Sequence, residues 1–132
     1  MSGVGVRLPS HLTATGRAIL SALPRNQVRA LYPNRQAFTD RTGIGPKSPK
    51  ELEATLAETQ RTGFAEEHGD VTPGFDSYAV AVRDYNDFPI AGLALTFVSG
   101  SLRPEQERSL KTKLRLAGTE LSRRLGAVGS LT

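Results

Sequence analysis

A chain of 132 residues fits one ordinary domain with a real core, and 17 Lys plus Arg against 13 Asp plus Glu leave a net charge of only +4, spread over several segments, which permits nucleic-acid contact without arguing for it. The absence of cysteine excludes a disulfide scaffold and a cysteine-based zinc site, and two histidines leave little for a metal, so no metal or other cofactor is expected. No apolar run reaches membrane-span length and the first residues lack the hydrophobic core of a signal peptide, so the sequence reads as cytoplasmic with no membrane partner.

Residues 1–6 are glycine-rich and say little, except that a domain rarely begins so close to its first core element, which suggests that something upstream is missing. Residues 8–23, LPSHLTATGRAILSAL, then pass from a proline through small hydroxyl and glycine residues into a helical pattern. A helix start of this kind presents main-chain N–H groups without internal partners, to which the helix dipole adds partial positive charge. Thr13 or Ser10 is placed to cap it, and the small Ala14, Thr15 and Gly16 let an anion approach the main chain. Most helix starts, however, bind only water. From Arg17 on, the apolar face is read as Ala18, Ile19, Ala22 and Leu23, ended by Pro24. A short helix follows over 25–31, with Val28 and Leu31 on one side, and residues 34–47 read as a loop with an extended piece around Phe38 and Thr39.

Ser48-Pro49-Lys50-Glu51 is a capping box with proline at the first helical position. The helix it opens is expected to run to Thr62, burying Leu52, Leu56 and Thr59, with Gly63 as its stop. A short strand is read over 64–67, a loop over 69–74, and a strand over 76–83 in which Tyr78, Val80 and Val82 face one way and Ser77, Ala79 and Ala81 the other. After a turn at 84–87, a second arm over 88–98 sets Ile90, Leu93, Leu95 and Phe97 against Ala91, Ala94 and Thr96, with a bulge near Gly92. One sheet face is thus bulky and the other small, and either a helix or a ligand must fill the small face. Residues 104–125 read as a long amphipathic helix with Leu110, Leu114, Ala117, Leu121 and Leu125 as its stripe, Leu116 off it, and Lys111, Lys113, Arg115, Arg123 and Arg124 as a solvated basic surface without aromatics for base stacking.

Three stretches in order, VGVRLPSHLTATGRAIL, GFAEEHGDVTPGFDSYAVAVRD and PIAGLALTFVSG, followed by the basic C-terminal helix, resemble the effector-binding domain of IclR-type bacterial transcriptional regulators over residues 3–126. Members of that family carry a winged helix-turn-helix and a linker helix ahead of a GAF-like domain whose first strands precede the RLP motif. The resemblance therefore implies an α+β fold, a GAF-like antiparallel sheet with helices packed on its faces and its N-terminal strands missing. Residues 1–132 would be a single truncated effector-binding domain without its DNA-binding domain. It further implies a small organic acid as effector, a homo-oligomer (dimer or tetramer), and DNA contact only through the missing domain.

Carried over by position, the family's carboxylate-binding amides fall at Ala14 and Thr15 and its acidic pocket residue at Glu67. A position often occupied by Cys falls at Ser77, and two strand serines fall at Ala94 and Thr96. Ala94 gives up a hydroxyl and Glu67 reaches one methylene further, which points away from a glyoxylate- or pyruvate-sized ligand and toward another organic acid, aromatic ones included. Independently of the family, helix-start amides favour a carboxylate, Ser77, Thr96 and Thr13 supply hydroxyls, and a buried Glu67 favours a ligand with one acidic end and one hydroxyl or neutral end. His11 stands beside the helix start as a further candidate for the anion. Two other readings compete: an enzyme using Glu66, Glu67 and His68, which as neighbours in a strand cannot all point inward, and an oligomerisation module whose small sheet face is filled by protein.

Overall fold

The structure, a computed structural model, describes residues 10–127; residues 1–6 and the Arg7-Leu8-Pro9 lead-in lie outside the described residues. Among the described residues the order is α1 (Ala14–Ala22), α2 (Arg25–Leu31), a 3-10 turn (Arg35–Ala37), α3 (Pro49–Thr62), β1 (Ala65–His68), β2 (Phe75–Arg83), β3 (Pro89–Val98) and α4 (Pro104–Arg124). The three strands form an antiparallel sheet in the order β1-β2-β3, giving the expected α+β architecture. α1 lies against one face and α4 against the other.

α3 forms where its local signals demand it. Ser48 Oγ accepts the Glu51 N–H at 3.2 Å, Pro49 opens the first turn, and Gly63 stops the helix in the left-handed region at φ 84°. The capping box is only half closed, because the Glu51 carboxylate takes the Lys47 N–H at 3.4 Å instead of that of Ser48. Leu52 and Leu56 then pack on Leu20 of α1, with Val28, Tyr32 and Phe38 around them. The 3-10 turn occupies part of what reads in sequence as loop, and Leu31 is exposed whereas Val28 is half-buried against the α1–α3 cluster.

α1 differs from its sequence reading in phase. It begins at Ala14 and buries Ala14, Arg17, Ala18 and Leu20, rather than an apolar face starting at Ala18 and Ile19. The rotation follows from Arg17, whose guanidinium has an internal carboxylate and two carbonyls to satisfy it and so turns inward. Gly92 sets how closely α1 approaches the sheet, since a Cβ there would stand 2.9 Å from Thr15 Cβ. The bulge lies two residues from its expected place: the register shifts between Val82 and Arg83, opposite Ile90.

α4 is also rotated from its expected stripe. Leu114, Gly118 and Ser122 face the sheet, whereas Leu121 and Leu125 are 42% and 43% exposed and Ala117 is also exposed. Leu114 joins Phe64, Tyr78 and Val80, with Leu93, Leu95 and Phe97 at the margin. Gly118 is what lets the helix settle this way, because a Cβ there would come within 2.6 Å of Val80 Cγ2.

Candidate functional site

The helix start of α1 is capped from within at one position only. Thr13 Oγ1 accepts the Gly16 N–H at 3.0 Å and the Thr13 carbonyl accepts the Arg17 N–H at 3.0 Å, so Thr13, not Ser10, is the cap. The N–H groups of Ala14 and Thr15 have no partner among the described residues and stand at the positive end of the helix.

β1 supplies the acid. Strand alternation sends Ala65 and Glu67 to the α1 side and Glu66 and His68 to the α4 side, where Glu66 pairs with His68 at 3.2 Å and with Lys111 of α4 at 3.7 Å. Glu67 is 4% exposed, and Oε2 accepts the Asp70 N–H at 3.0 Å. Burial pushes its carboxyl above the usual carboxylate range, against a lowering contribution from the Asp70 N–H. On the paired strands behind it, Ser77 stands opposite Thr96 and their hydroxyls bond at 2.8 Å. Only one of those two protons is used between them, so the pair retains one hydrogen bond to donate.

Ala14, Thr15, Glu67, Ser77, Ala94 and Thr96 all line one cavity of about 390 Å³, within the size range of small-molecule sites. The sheet's small face is therefore divided. α1 covers Ala79 with Ala14 and Ala18 to form a tight alanine cluster, and beyond it the cavity opens over Ser77, Ala94 and Thr96. Thr13, Val71, Thr72 and Phe75 complete the lining. Val71, Thr72 and Phe75 were missed in sequence, although signals existed. Phe75 continues the two-residue period of Ser77 and Ala79, and a loop joining Glu67 to Ser77 has to pass over whatever lies between them.

That loop is held by a buried ion pair. Arg17 and Asp70 are bonded through Nη2 and Oδ2, while Arg17 Nε donates to the His11 carbonyl and Nη1 to the Glu66 carbonyl, both at 2.8 Å. Asp70 Oδ1 accepts the His68 N–H at 3.2 Å, and Thr42 Oγ1 donates to the Asp70 carbonyl at 3.2 Å. One arginine thus ties α1, β1 and the 69–74 loop together. His11 takes no part in the cavity. It is buried, its Nε2 lies 2.8 Å from the Thr39 carbonyl, and its ring packs edge-on against Tyr32 and Phe38. Burial, with Arg17 nearby, lowers its pKa against the raising effect of the Thr39 carbonyl, so it is a neutral packing residue.

An α+β domain with a cavity between a helix start and the small face of an antiparallel sheet has the build of a ligand-binding sensor. A family profile described as "Bacterial transcriptional regulator IclR C-terminal" matches residues 1–123, and the chain belongs to that family. It is 30% identical over 125 residues to the HTH-type transcriptional regulator XynR of Escherichia coli strain K12, covering 95% of this chain and 49% of that protein. It is 32% identical over 130 residues to the Glycerol operon regulatory protein of Streptomyces coelicolor, covering 94% and 48%. The chain thus spans about half the length of these curated relatives. Among solved structures, the Agobacterium tumefaciens repressor BlcR superposes with a TM-score of 0.85 at 30% identity, over 95% of this chain and 51% of that one.

Proposed function

We propose that this domain senses a small organic acid for a transcriptional regulator, binding the acid in the 390 Å³ cavity. The ligand carboxylate lies on the N–H groups of Ala14 and Thr15, and Glu67, Ser77 and Thr96 receive a hydroxyl or neutral polar group at the other end. The observation that carries this reading is that two unpartnered helix-start amides and a buried carboxyl line the same cavity. Val71, Phe75, Ala14 and Ala94 make the remaining wall apolar, which suits an aromatic or branched acid better than a two- or three-carbon one. Glu67 accepts a hydrogen bond from a hydroxyl and repels a second carboxylate, so monocarboxylic acids are preferred over dicarboxylic ones.

The domain acts as a sensor and not as an enzyme. The acid shifts a dimer or tetramer between two arrangements, and a helix-turn-helix domain in the parent protein contacts the DNA. Such a shift requires the ligand to bind one arrangement better than the other. Relatives that are themselves regulators of transcription and of an operon support this role. An oligomerisation module that binds nothing has no use for an open cavity beside Ala14 and Ser77.

Calorimetric titration with hydroxybenzoates, short keto acids and dicarboxylates tests the reading. A hydroxylated monocarboxylic acid is expected to bind, and Ala94→Leu, which fills the cavity, is expected to weaken it by at least about ten-fold, or 1.4 kcal/mol. Absence of heat for every acid at millimolar concentration, or undiminished binding to Ala94→Leu, would refute it.

A further inference from the structure

A second cavity lies at the opposite end of β2. β1 begins at Ala65, opposite Ala79, whereas β2 continues to Arg83, so its last residues have β3 on one side and, among the described residues, no strand on the other. The Gly69 N–H donates to the Phe75 carbonyl at 3.0 Å, which identifies the odd-numbered residues of β2 as those directing main-chain groups toward β1. Ala81 is the first of these beyond the end of β1. The next, Arg83, sends its N–H to Ser122 Oγ of α4 at 3.0 Å, but the Ala81 N–H has no partner among the described residues. Beside it, a groove of about 460 Å³ runs between α4 and the last turns of α1 and α3, over a floor of small residues that includes Ala79 and Gly118.

The polar groups facing this groove do not balance. Ser122 is 2% exposed and accepts the Arg83 N–H, yet its own hydroxyl proton has no acceptor among the described residues. Arg115 stacks on the Phe64 ring at 4.7 Å and donates to the Thr62 carbonyl at 3.4 Å, which leaves most of its five N–H groups unused and its charge without a carboxylate partner among the described residues. Helix-end carbonyls would offset these donors if they were free. Instead the Thr59 carbonyl is taken by Gly63, that of Ser21 by Gln60 Nε2, and that of Leu20 by Leu23. Arg83 is held by the Asp87 carbonyl at 3.2 Å, and no Asp or Glu lines the groove among the described residues. A main-chain N–H, a buried hydroxyl and a free guanidinium remain as donors, and the Ala81 carbonyl, which faces the same open edge, is the one main-chain acceptor of β2 set against them.

We propose that this groove is a second binding site, specific for a small oxyanion held by the Ala81 N–H, the Ser122 hydroxyl and the Arg115 guanidinium. A carboxylate and a phosphate meet this chemistry equally, since each presents acceptor oxygens to a forked guanidinium and two single donors. The site is separate from the organic-acid cavity. The two lie at opposite ends of β2, Ser77 lining one and Ala81 the other.

The test follows the Ala81 amide resonance of the full chain during titration with sodium phosphate, with sodium succinate, and with sodium chloride at matched ionic strength. Phosphate or succinate is expected to move Ala81 saturably at concentrations of about 1–10 mM, while chloride does not. Which of the two binds tighter separates the phosphate source from the carboxylate source. Arg115→Met changes an exposed residue and is expected to weaken binding about ten-fold or more, Ser122→Ala about three-fold or more, and Ala94→Leu not at all. The proposal fails if both anions behave as chloride does, or if Arg115→Met binds as well as the natural chain. It also fails if Ala94→Leu abolishes the response, which would assign the anion to the first cavity. Because Ala94→Leu disables only the organic-acid cavity, failure there leaves the result at Ala81 readable.

Discussion

The two faces of one three-stranded sheet are built on opposite principles. Against α4, Tyr78 and Val80 meet Phe64 and Leu114 in an apolar contact with few hydrogen bonds. Lys111 adds a cation 4.6 Å above the Tyr78 ring, and burial with nearby Glu107 pushes the Tyr78 hydroxyl to a pKa of about 12, which keeps it neutral. Against α1 the same strands present Ser77, Ala79, Ala94 and Thr96, too small to fill the space. There the chain relies on a polar frame, Arg17 with Asp70, and leaves a cavity inside it. Close packing gives stability on the first side; the second gives up packing and retains room for another molecule.

The largest contrast comes from removing the polar frame. Arg17→Met leaves Asp70 buried without its cation and is expected to cost about 3–5 kcal/mol in urea denaturation, because a broken buried pair retains the desolvation cost of the remaining charge. It also frees the 69–74 loop, so acid binding is lost together with stability. A loss below about 1 kcal/mol would mean that the frame is not what holds this face. Leu114→Ala acts on the other side. It is expected to cost about 2–3 kcal/mol, the lower part of the usual range because α4 covers only part of the sheet, and to leave acid affinity unchanged. A parallel loss of binding would show that the two faces are not independent.

The smallest effect is a pH dependence confined to the cavity side. Folding raises the Glu67 carboxyl above its ordinary 4.5, so its contribution to stability is present in full below that pH and lost as pH rises through the raised value. Glu67→Gln removes the charge and the dependence together. The variant is expected to melt at or above the natural domain near neutrality, with the advantage shrinking as pH falls through the raised value and gone below pH 4.5, as read from thermal melts across pH. A variant that is less stable at neutral pH, with a difference that vanishes in acid, would show that the carboxylate is stabilised instead.

Much of this could be read from the sequence where a local rule acts alone. Ser48, Pro49 and Gly63 bracket α3 because capping and proline geometry do not depend on the rest of the fold. Alternation along β2 assigned Tyr78 and Ser77 to opposite faces, and the six residues carried over from the family resemblance line one cavity. What escaped required a tertiary partner. Nothing in the local pattern marks Arg17 as buried, because its partner Asp70 is 53 residues away. The α4 stripe reads through Leu121 and Leu125 because periodicity favours large apolar residues, whereas the seat under the helix has room only for Gly118 and Ser122. The bulge at Ile90 is a matter of register between two strands, which neither strand's own pattern fixes.

The central claim is that the α1 amides and the Glu67 carboxyl grip one acid from opposite ends. The most direct measurement is the amide resonances of Ala14 and Thr15 during titration with a hydroxybenzoate, repeated with Glu67→Ala. The account predicts saturable shifts at both amides, retained in the variant with weaker affinity. Binding that leaves Ala14 and Thr15 unmoved while shifting residues outside the cavity would contradict it.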